Sequence, residues 1–195
     1  MGKIGKIAFI GGGAMGEAII KGILQAKLAA GEDITVSDPS EQRLEYLQKQ
    51  YGVNGTKENV AAVKNAKTVI LAVKPQMADK AITSTVAQTI AEEAAVVSIM
   101  GSVDLEKLHS LIPGKAIIRV MPNTPLAVGA GMTAIAPDEN AGQEMIETTK
   151  AIFGSCGEVV EVQESAMEAI TAVSCFGTGY LFLLIDALSA AGVNS

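Results

Sequence analysis

The chain has 195 residues and a formal net charge of −6; 49% of it is hydrophobic, only 4% is aromatic, and Trp is absent. That length allows one sizeable core plus an attached piece, and a core of Ala, Val, Ile, Leu and Met suits helices packed on a parallel sheet. The 15 basic residues form no run, which excludes a nucleic-acid track or a membrane-binding patch, so an anionic ligand has to be gripped locally by backbone amides.

In chain order, residues 6–10 read as a first strand and residues 14–30 as a helix with Ile19, Ile20, Ile23 and Leu24 on one face. Residues 34–37 make a second strand, a turn follows at Asp38-Pro39-Ser40, and residues 41–51 make a helix for which Ser40 is a good N-cap. Strands are expected at 68–72, 95–99 and 116–120, with two more at 132–136 and 159–162. Helices fill the gaps near 77–91, 105–111 and 142–153. Such alternation, with right-handed crossovers, predicts an α/β fold: an N-terminal Rossmann doubly wound parallel sheet over residues 1–163. From about Glu164 the texture turns Ala- and Leu-rich. Residues 165–191 read as helix broken at Cys175-Phe176-Gly177-Thr178-Gly179, the start of an all-helical unit at 164–195. A single helix cannot bury its own apolar face, so something must cover it.

The sharpest motif is Gly11-x-Gly13-x-x-Gly16, directly after a strand and opening a helix. Gly11 allows the tight turn, Gly13 leaves room for a pyrophosphate to approach the backbone, and Gly16 lets helix and strand pack closely. Free amides at the helix start and the helix dipole then favour a dinucleotide's negative charge. Asp38 lies 22 residues beyond Gly16, where an acid accepts hydrogen bonds from the adenine-side ribose and repels a 2′-phosphate, a mild tilt from NADPH toward NADH. Ser37 and Arg43 are near enough to help hold a phosphate, and Asp38 equally suits a turn before Pro39. Lys74, in Ala72-Val73-Lys74-Pro75, sits at a strand's carboxyl end and either reaches a coenzyme or is simply solvated. In Met121-Pro122-Asn123-Thr124-Pro125 two prolines stiffen a turn that presents an amide and a hydroxyl. That turn either orients a substrate or merely ends a strand.

His109, the only histidine, is expected to face solvent, since Leu105, Leu108 and Ile112 take the inner face of its helix. No cluster has metal-ligand spacing and no Ser-His-acid set is suggested. Cys156 and Cys175 form no CxxC and read as reduced thiols. The start Lys3-Ile4-Gly5-Lys6 leads into an apolar run too short for a signal peptide, and Gly2 lacks the hydroxyl residue at position 6 that myristoylation needs. Residues 180–193 are apolar but contain Asp186 and are shorter than a membrane span. A soluble cytoplasmic protein is the expectation.

Taken together, Phe9-Ile10-Gly11-Gly12-Gly13-Ala14-Met15-Gly16, Ala72-Val73-Lys74-Pro75, and Arg119-Val120-Met121-Pro122-Asn123-Thr124-Pro125 followed by Gly131-Met132-Thr133 resemble pyrroline-5-carboxylate reductase. The resemblance runs from about Lys6 to Val193. It implies hydride transfer from NADPH or NADH to the imine carbon of 1-pyrroline-5-carboxylate, giving proline, with no metal. It further implies coenzyme contacts from Ile10 to Gly16, from Ser37, Asp38, Pro39 and Asn59, from Ala72 to Pro75, and from Met100 and Gly101. Asn123 and Thr124 are then expected beside the nicotinamide, and Ser174 at the start of the substrate-side loop. A protonated imine is already electrophilic, so positioning supplies most of the acceleration.

Three departures stand out. Met100-Gly101-Ser102 makes the loop beside the coenzyme bulkier than the family pattern, and Ser174 to Tyr180 replaces a small-residue turn with one that gains Phe176 and loses a proline. Relatives also continue beyond the position of Ser195 into a helical dimerisation domain that holds the substrate carboxylate. Coenzyme binding is therefore expected to persist, homo-oligomers are expected of full-length relatives, and turnover by the 195-residue chain is expected to be weak or absent. The alternative is a non-catalytic NAD(P)-binding module or truncated paralogue. A hydroxyacid dehydrogenase is less consistent, because no Lys lies between Ser165 and Ser195.

Overall fold

A computed structural model describes residues 4–193; the readings made at Gly2 and Lys3 lie outside the described residues. Eight strands form one sheet: β1 (Ile7–Ile10), β2 (Ile34–Ser37), β3 (Asn54–Thr56), β4 (Thr68–Leu71), β5 (Ala95–Ser98), β6 (Ile117–Met121), β7 (Gly131–Pro137) and β8 (Gly157–Glu161). Their order is β3-β2-β1-β4-β5-β6-β7-β8. The first six run parallel, β7 pairs antiparallel with β6, and β8 runs parallel to β7.

The strands read as continuous apolar runs because helices cover both faces. In β1, Ile7 and Phe9 enter one core while Ala8 and Ile10 enter the other, as the two-residue period of a strand requires. The first core gathers Ile19, Ile20 and Ile23 of α1 (Ala14–Gln25), Leu44 and Leu47 of α2 (Glu41–Tyr51), and Ile152 and Phe153 of α7 (Gln143–Gly154). On the opposite face lie Ala62 and Val63 of α3 (Asn59–Val63), Ala78 and Ala81 of α4 (Ala78–Ala81), Val86 of α5 (Ser84–Thr89) and Leu108 of α6 (Leu105–Leu111).

Several expectations shift. The first helix stops at Gln25 rather than residue 30, because Lys27 takes a left-handed conformation at φ 55° and turns the chain toward β2. The helix expected over 77–91 is two short helices, separated where Thr83 accepts a hydrogen bond from the Val86 amide and starts α5 afresh. β3 was not foreseen.

The largest difference is at the C-terminal end. Instead of a helix broken at 175–179, one 30-residue helix runs from Glu164 to Val193 and absorbs a π turn at Thr171–Cys175. Its first part is anchored by Met167, fully buried against Met121, Ala134 and Ala136. Beyond Phe176 its apolar side chains are exposed, Phe182 and Leu183 at 70% each. Counted as one element, this helix is long and apolar enough to cross a membrane, which the shorter span of residues 180–193 is not.

Candidate coenzyme and substrate site

The loops after β1, β2, β4, β5 and β6 meet at the carboxyl edge of the parallel strands, where sheets of this kind hold ligands. Gly11 has φ 101°, its amide donates to Ser37 O at 2.7 Å, and a Cβ there would lie 2.6 Å from Ala72 O. A Cβ on Gly12 would press on Leu47 at 2.9 Å and Val36 at 3.1 Å. Gly16 lets α1 lean on the strand, with Gly11 O 3.1 Å from a built Cβ. Gly13 differs from all three: nothing lies within 4 Å of its Cβ position. The amides of Gly13, Ala14 and Met15 have no acceptor among the described residues, and they sit at the positive end of the 12-residue α1. The loop is thus closed on three sides and open on the one where an anion would approach, so the residues present fit a dinucleotide's pyrophosphate.

Asp38 braces this loop. One carboxylate oxygen accepts from the Gly12 amide and the other from the Ser40 amide, both at 2.9 Å, so the expected ribose acid and the expected turn former are the same side chain. Arg43, one of the residues thought able to hold a phosphate, is committed elsewhere. Its guanidinium bonds to the carbonyls of Gly12 and Gly13, pairs with Glu17 at 2.5 Å and lies over the Tyr46 ring. Ser37, fully buried, donates to Asn59 Oδ1, and Asn59 donates on to Ala81 O at 2.9 Å. Pro39 is exposed next to them.

Glu17 also accepts from the hydroxyls of Tyr46 and Tyr51, at 3.0 and 2.8 Å. Burial is the largest single influence on its carboxyl and pushes it up, but Arg43 and the two hydroxyls together outweigh burial and hold it below the ordinary 4.5. Burial, then this carboxylate, push Tyr51 up to about 12. A carboxyl with a depressed folded value stabilises fully above its unfolded value and loses that contribution as pH falls through the folded one. Glu17→Gln is therefore expected to cost about 1 kcal/mol at neutral pH. The gap from the parent should close as the solution is taken below the ordinary value of 4.5. Urea unfolding at stepped pH measures this, and a gap independent of pH contradicts it.

On the β4 side, Ala72 donates to Ile10 O at 2.8 Å, Val73 packs on the second core, Lys74 is exposed and Pro75 opens a 3-10 turn. The expectation at Met100 needs correction. Its side chain is 1% exposed and sits in the second core, its amide donates to Ser98 Oγ and its carbonyl accepts from Val103. The bulk that seemed to crowd the coenzyme is turned inward, and Met100 offers a ligand no free group. Gly101, Ser102 and Asp104 of the loop between β5 and α6 reach the cavity, and Met100 does not.

That cavity, about 600 Å³, is bounded by Met15 and Gly101 on one side and by Asn123, Thr124, Glu168 and Phe176 on the other. Asn123 is a bracket: its Oδ1 accepts from the Met132 amide at 2.9 Å, and its Nδ2 donates to Ser174 Oγ at 3.2 Å. Asn123, Thr124 and Ser174, 51 positions apart at the widest, are brought together, although the Asn123 amide is spent on tying its turn to β7 and to the C-terminal helix. Thr124 Oγ1 reaches Thr178 Oγ1 only at 3.4 Å. Cys175 donates to Pro122 O, and burial pushes its thiol up. A second cavity of about 600 Å³, lined by Ile4, Lys67 and Glu144 among others, lies at the amino edge of the strands, away from all these loops.

Comparison with known proteins identifies the chain. A reductase from Synechocystis sp., named pyrroline-5-carboxylate reductase, is 42% identical over 188 residues, covering 96% of this chain and 70% of that protein. The chain belongs to the pyrroline-5-carboxylate reductase family. Residues 6–102 also match the family described as NADP oxidoreductase, coenzyme F420-dependent. The solved pyrroline carboxylate reductase of Plasmodium falciparum, with NADP bound, superposes with a TM-score of 0.88 at 29% identity, covering 100% of this chain and 71% of its own. The reductase of Coxiella burnetii gives 0.91 at 29% identity, covering 98% of this chain and 71% of its own. The chain thus spans about 70% of the length of these relatives. Since the reductase structures cover nearly all of it, the long apolar helix has its counterpart inside the reductase fold.

Within this family frame, two polar residues, Arg119 and Glu164, have a place in the site that their sequence positions do not announce. Arg119 is 6% exposed in β6, with Nη1 3.2 Å from Glu164 Oε1 and Nη2 donating to Gly101 O at 2.9 Å. Glu164 Oε1 also accepts from the Leu105 amide at 2.6 Å. The available signal was a lone cation inside an apolar strand, which is tolerated only when paired. His109 departs from expectation as well: it is only partly exposed and lies 3.1 Å from Asp138.

Proposed function

We propose that the chain catalyses NAD(P)H-dependent reduction of 1-pyrroline-5-carboxylate to proline, the last step of proline biosynthesis. The observation that carries this reading is that Met15, from the open glycine mouth, borders the same cavity as Asn123 and Thr124, with Ser174 hydrogen-bonded to Asn123 behind it, in a chain of this family. A non-catalytic module has no need of that second half, so the alternative is not favoured.

In this reading residues 1–163 are the dinucleotide unit and residues 164–195 begin the helical, substrate-side unit. The amides of Gly13, Ala14 and Met15 grip the pyrophosphate, with Ile10, Gly11, Gly12 and Gly16 shaping the loop around it. Ser37, Asp38, Pro39 and Asn59 border the adenine-side ribose, and Ala72 to Pro75 with Gly101 flank the nicotinamide half. When bound, NAD(P)H supplies the hydride. The imine enters protonated, so its nitrogen becomes a secondary amine without taking a proton from any side chain. What the chain contributes is position: Asn123 stiffens the turn, the loosely held Thr124 hydroxyl is free to donate to substrate, and Phe176 helps to keep water from the cavity. The exposed apolar helix supports self-association into a homo-oligomer rather than burial in lipid. Two free thiols suit a cytoplasmic setting.

One experiment tests both the reaction and the coenzyme. The parent and Asp38→Ser are titrated with NADH and NADPH by fluorescence, then supplied with 1-pyrroline-5-carboxylate while coenzyme oxidation is followed. Weak imine-dependent oxidation is expected in the parent, and none at saturating coenzyme and imine would refute the assignment. Removing the carboxylate should raise the NADPH-to-NADH affinity ratio about fivefold, the size of one screened charge pair, while loosening Gly12 lowers both affinities. An unchanged ratio would make Asp38 a brace only.

A further inference from the structure

We propose that Arg119, acting through Glu164, is a positioning residue for the hydride-transfer step, locking two opposite walls of the cavity to one strand; this rests on the reductase reading above. Arg119 projects from β6, the strand that runs into the Pro-Asn-Thr-Pro turn. Its Nη2 ties down the carbonyl of Gly101, on the wall formed by the loop after β5. Through Nη1 it holds Glu164, the first residue of the C-terminal helix, whose Glu168, Thr171, Cys175 and Phe176 line the other wall. The same Glu164 oxygen takes the Leu105 amide, so the start of α6 is drawn into the knot.

The arrangement is specific to a planar fork. A Lys could satisfy Gly101 O or Glu164, not both with the same directionality. Arg119 Nε is buried and has no partner among the described residues, which marks a side chain held by its two end nitrogens alone. Arg119 is also the only basic residue bordering this cavity among the described residues, so Glu164 neutralises the one cation that a protonated imine would meet there. None of these contacts involves the Gly11-to-Gly16 loop. The pyrophosphate anchor therefore takes no hydrogen bond from this knot, although Met15 of that loop also borders the cavity.

The test uses Arg119→Met, Arg119→Lys and Glu164→Gln in the 195-residue chain. Glu164 is partly exposed, so its variant keeps the proposal testable where the buried Arg119→Met fails to fold. In Arg119→Met and Glu164→Gln, hydride transfer to 1-pyrroline-5-carboxylate in single turnovers should fall about tenfold or more, with KM for the imine and Kd for NADPH each within about threefold of the parent, because a misplaced wall costs rate rather than ground-state binding. Arg119→Lys should recover part of the rate. Amide hydrogen exchange should quicken in residues 99–105 and 164–171 and stay unchanged in residues 11–17. Parental rates with unchanged exchange would overturn the proposal, as would NADPH affinity falling in step with the rate. Should the parent itself transfer no hydride to the imine, the functional reading fails, and the exchange pattern alone decides whether this pair holds the walls.

Discussion

Gly13→Val is expected to leave the fold intact while weakening either reduced nicotinamide coenzyme by about 100-fold, equivalent to about 3 kcal/mol. The basis is an asymmetry between stability and space. Gly13 has φ −65° and ψ −177°, an extended conformation open to any L-residue, and its Cβ position is surrounded by nothing within 4 Å. Folding therefore loses only the small preference for Gly over Val at a helix N-cap, under about 1 kcal/mol. The ligand loses much more, because the added side chain stands where the pyrophosphate must approach unpartnered amides. Thermal unfolding alongside coenzyme fluorescence separates the two effects. A variant that melts like the parent and binds like it would remove the glycine mouth from the site.

Gly11→Ala should show the opposite pattern, a loss of at least about 3 kcal/mol in stability, enough to prevent accumulation of folded chain in a marginal protein. Two costs coincide here. A φ of 101° is strained for any residue with a Cβ, and that Cβ would sit 2.6 Å from Ala72 O and 2.8 Å from Ala72 C. The obstacle is backbone and cannot rotate away: Ala72 is pinned to β1 by the hydrogen bond its N–H donates to Ile10 O. Denaturant titration of this variant beside Gly13→Val gives the contrast directly. Near-parental stability would mean that β1 and β4 part more readily than their pairing indicates.

What could be read in the residues, and what could not, follows from how local the cause was. The strand at 34–37 and the helix at 41–51 appear with the expected bounds, since an apolar run, the Ser40 cap and the left-handed Gly52 all act within a few residues. β3 escaped notice because Asn-Gly-Thr is a three-residue edge strand without an apolar face. Breaks were misjudged in both directions. Thr83 stops a helix by capping the next, whereas Gly177 and Gly179 do not stop theirs, because a helix tolerates glycine and closes over it. In the site, the glycine loop was legible because each glycine answers a backbone demand. Met100 was misjudged because residue size says nothing about which way a side chain faces. Arg119 and Glu164 lie 45 positions apart, and only the folded chain brings them within bonding distance.

The sheet is complete by Glu161, and the exposed apolar helix follows it in the chain. During translation, then, every strand partner of the dinucleotide unit has left the ribosome before the least soluble segment emerges. The ordering confines the interval of greatest aggregation risk to the period after the sheet can close, and it lets a finished scaffold, rather than a nascent collapsed chain, present that helix to whatever covers it.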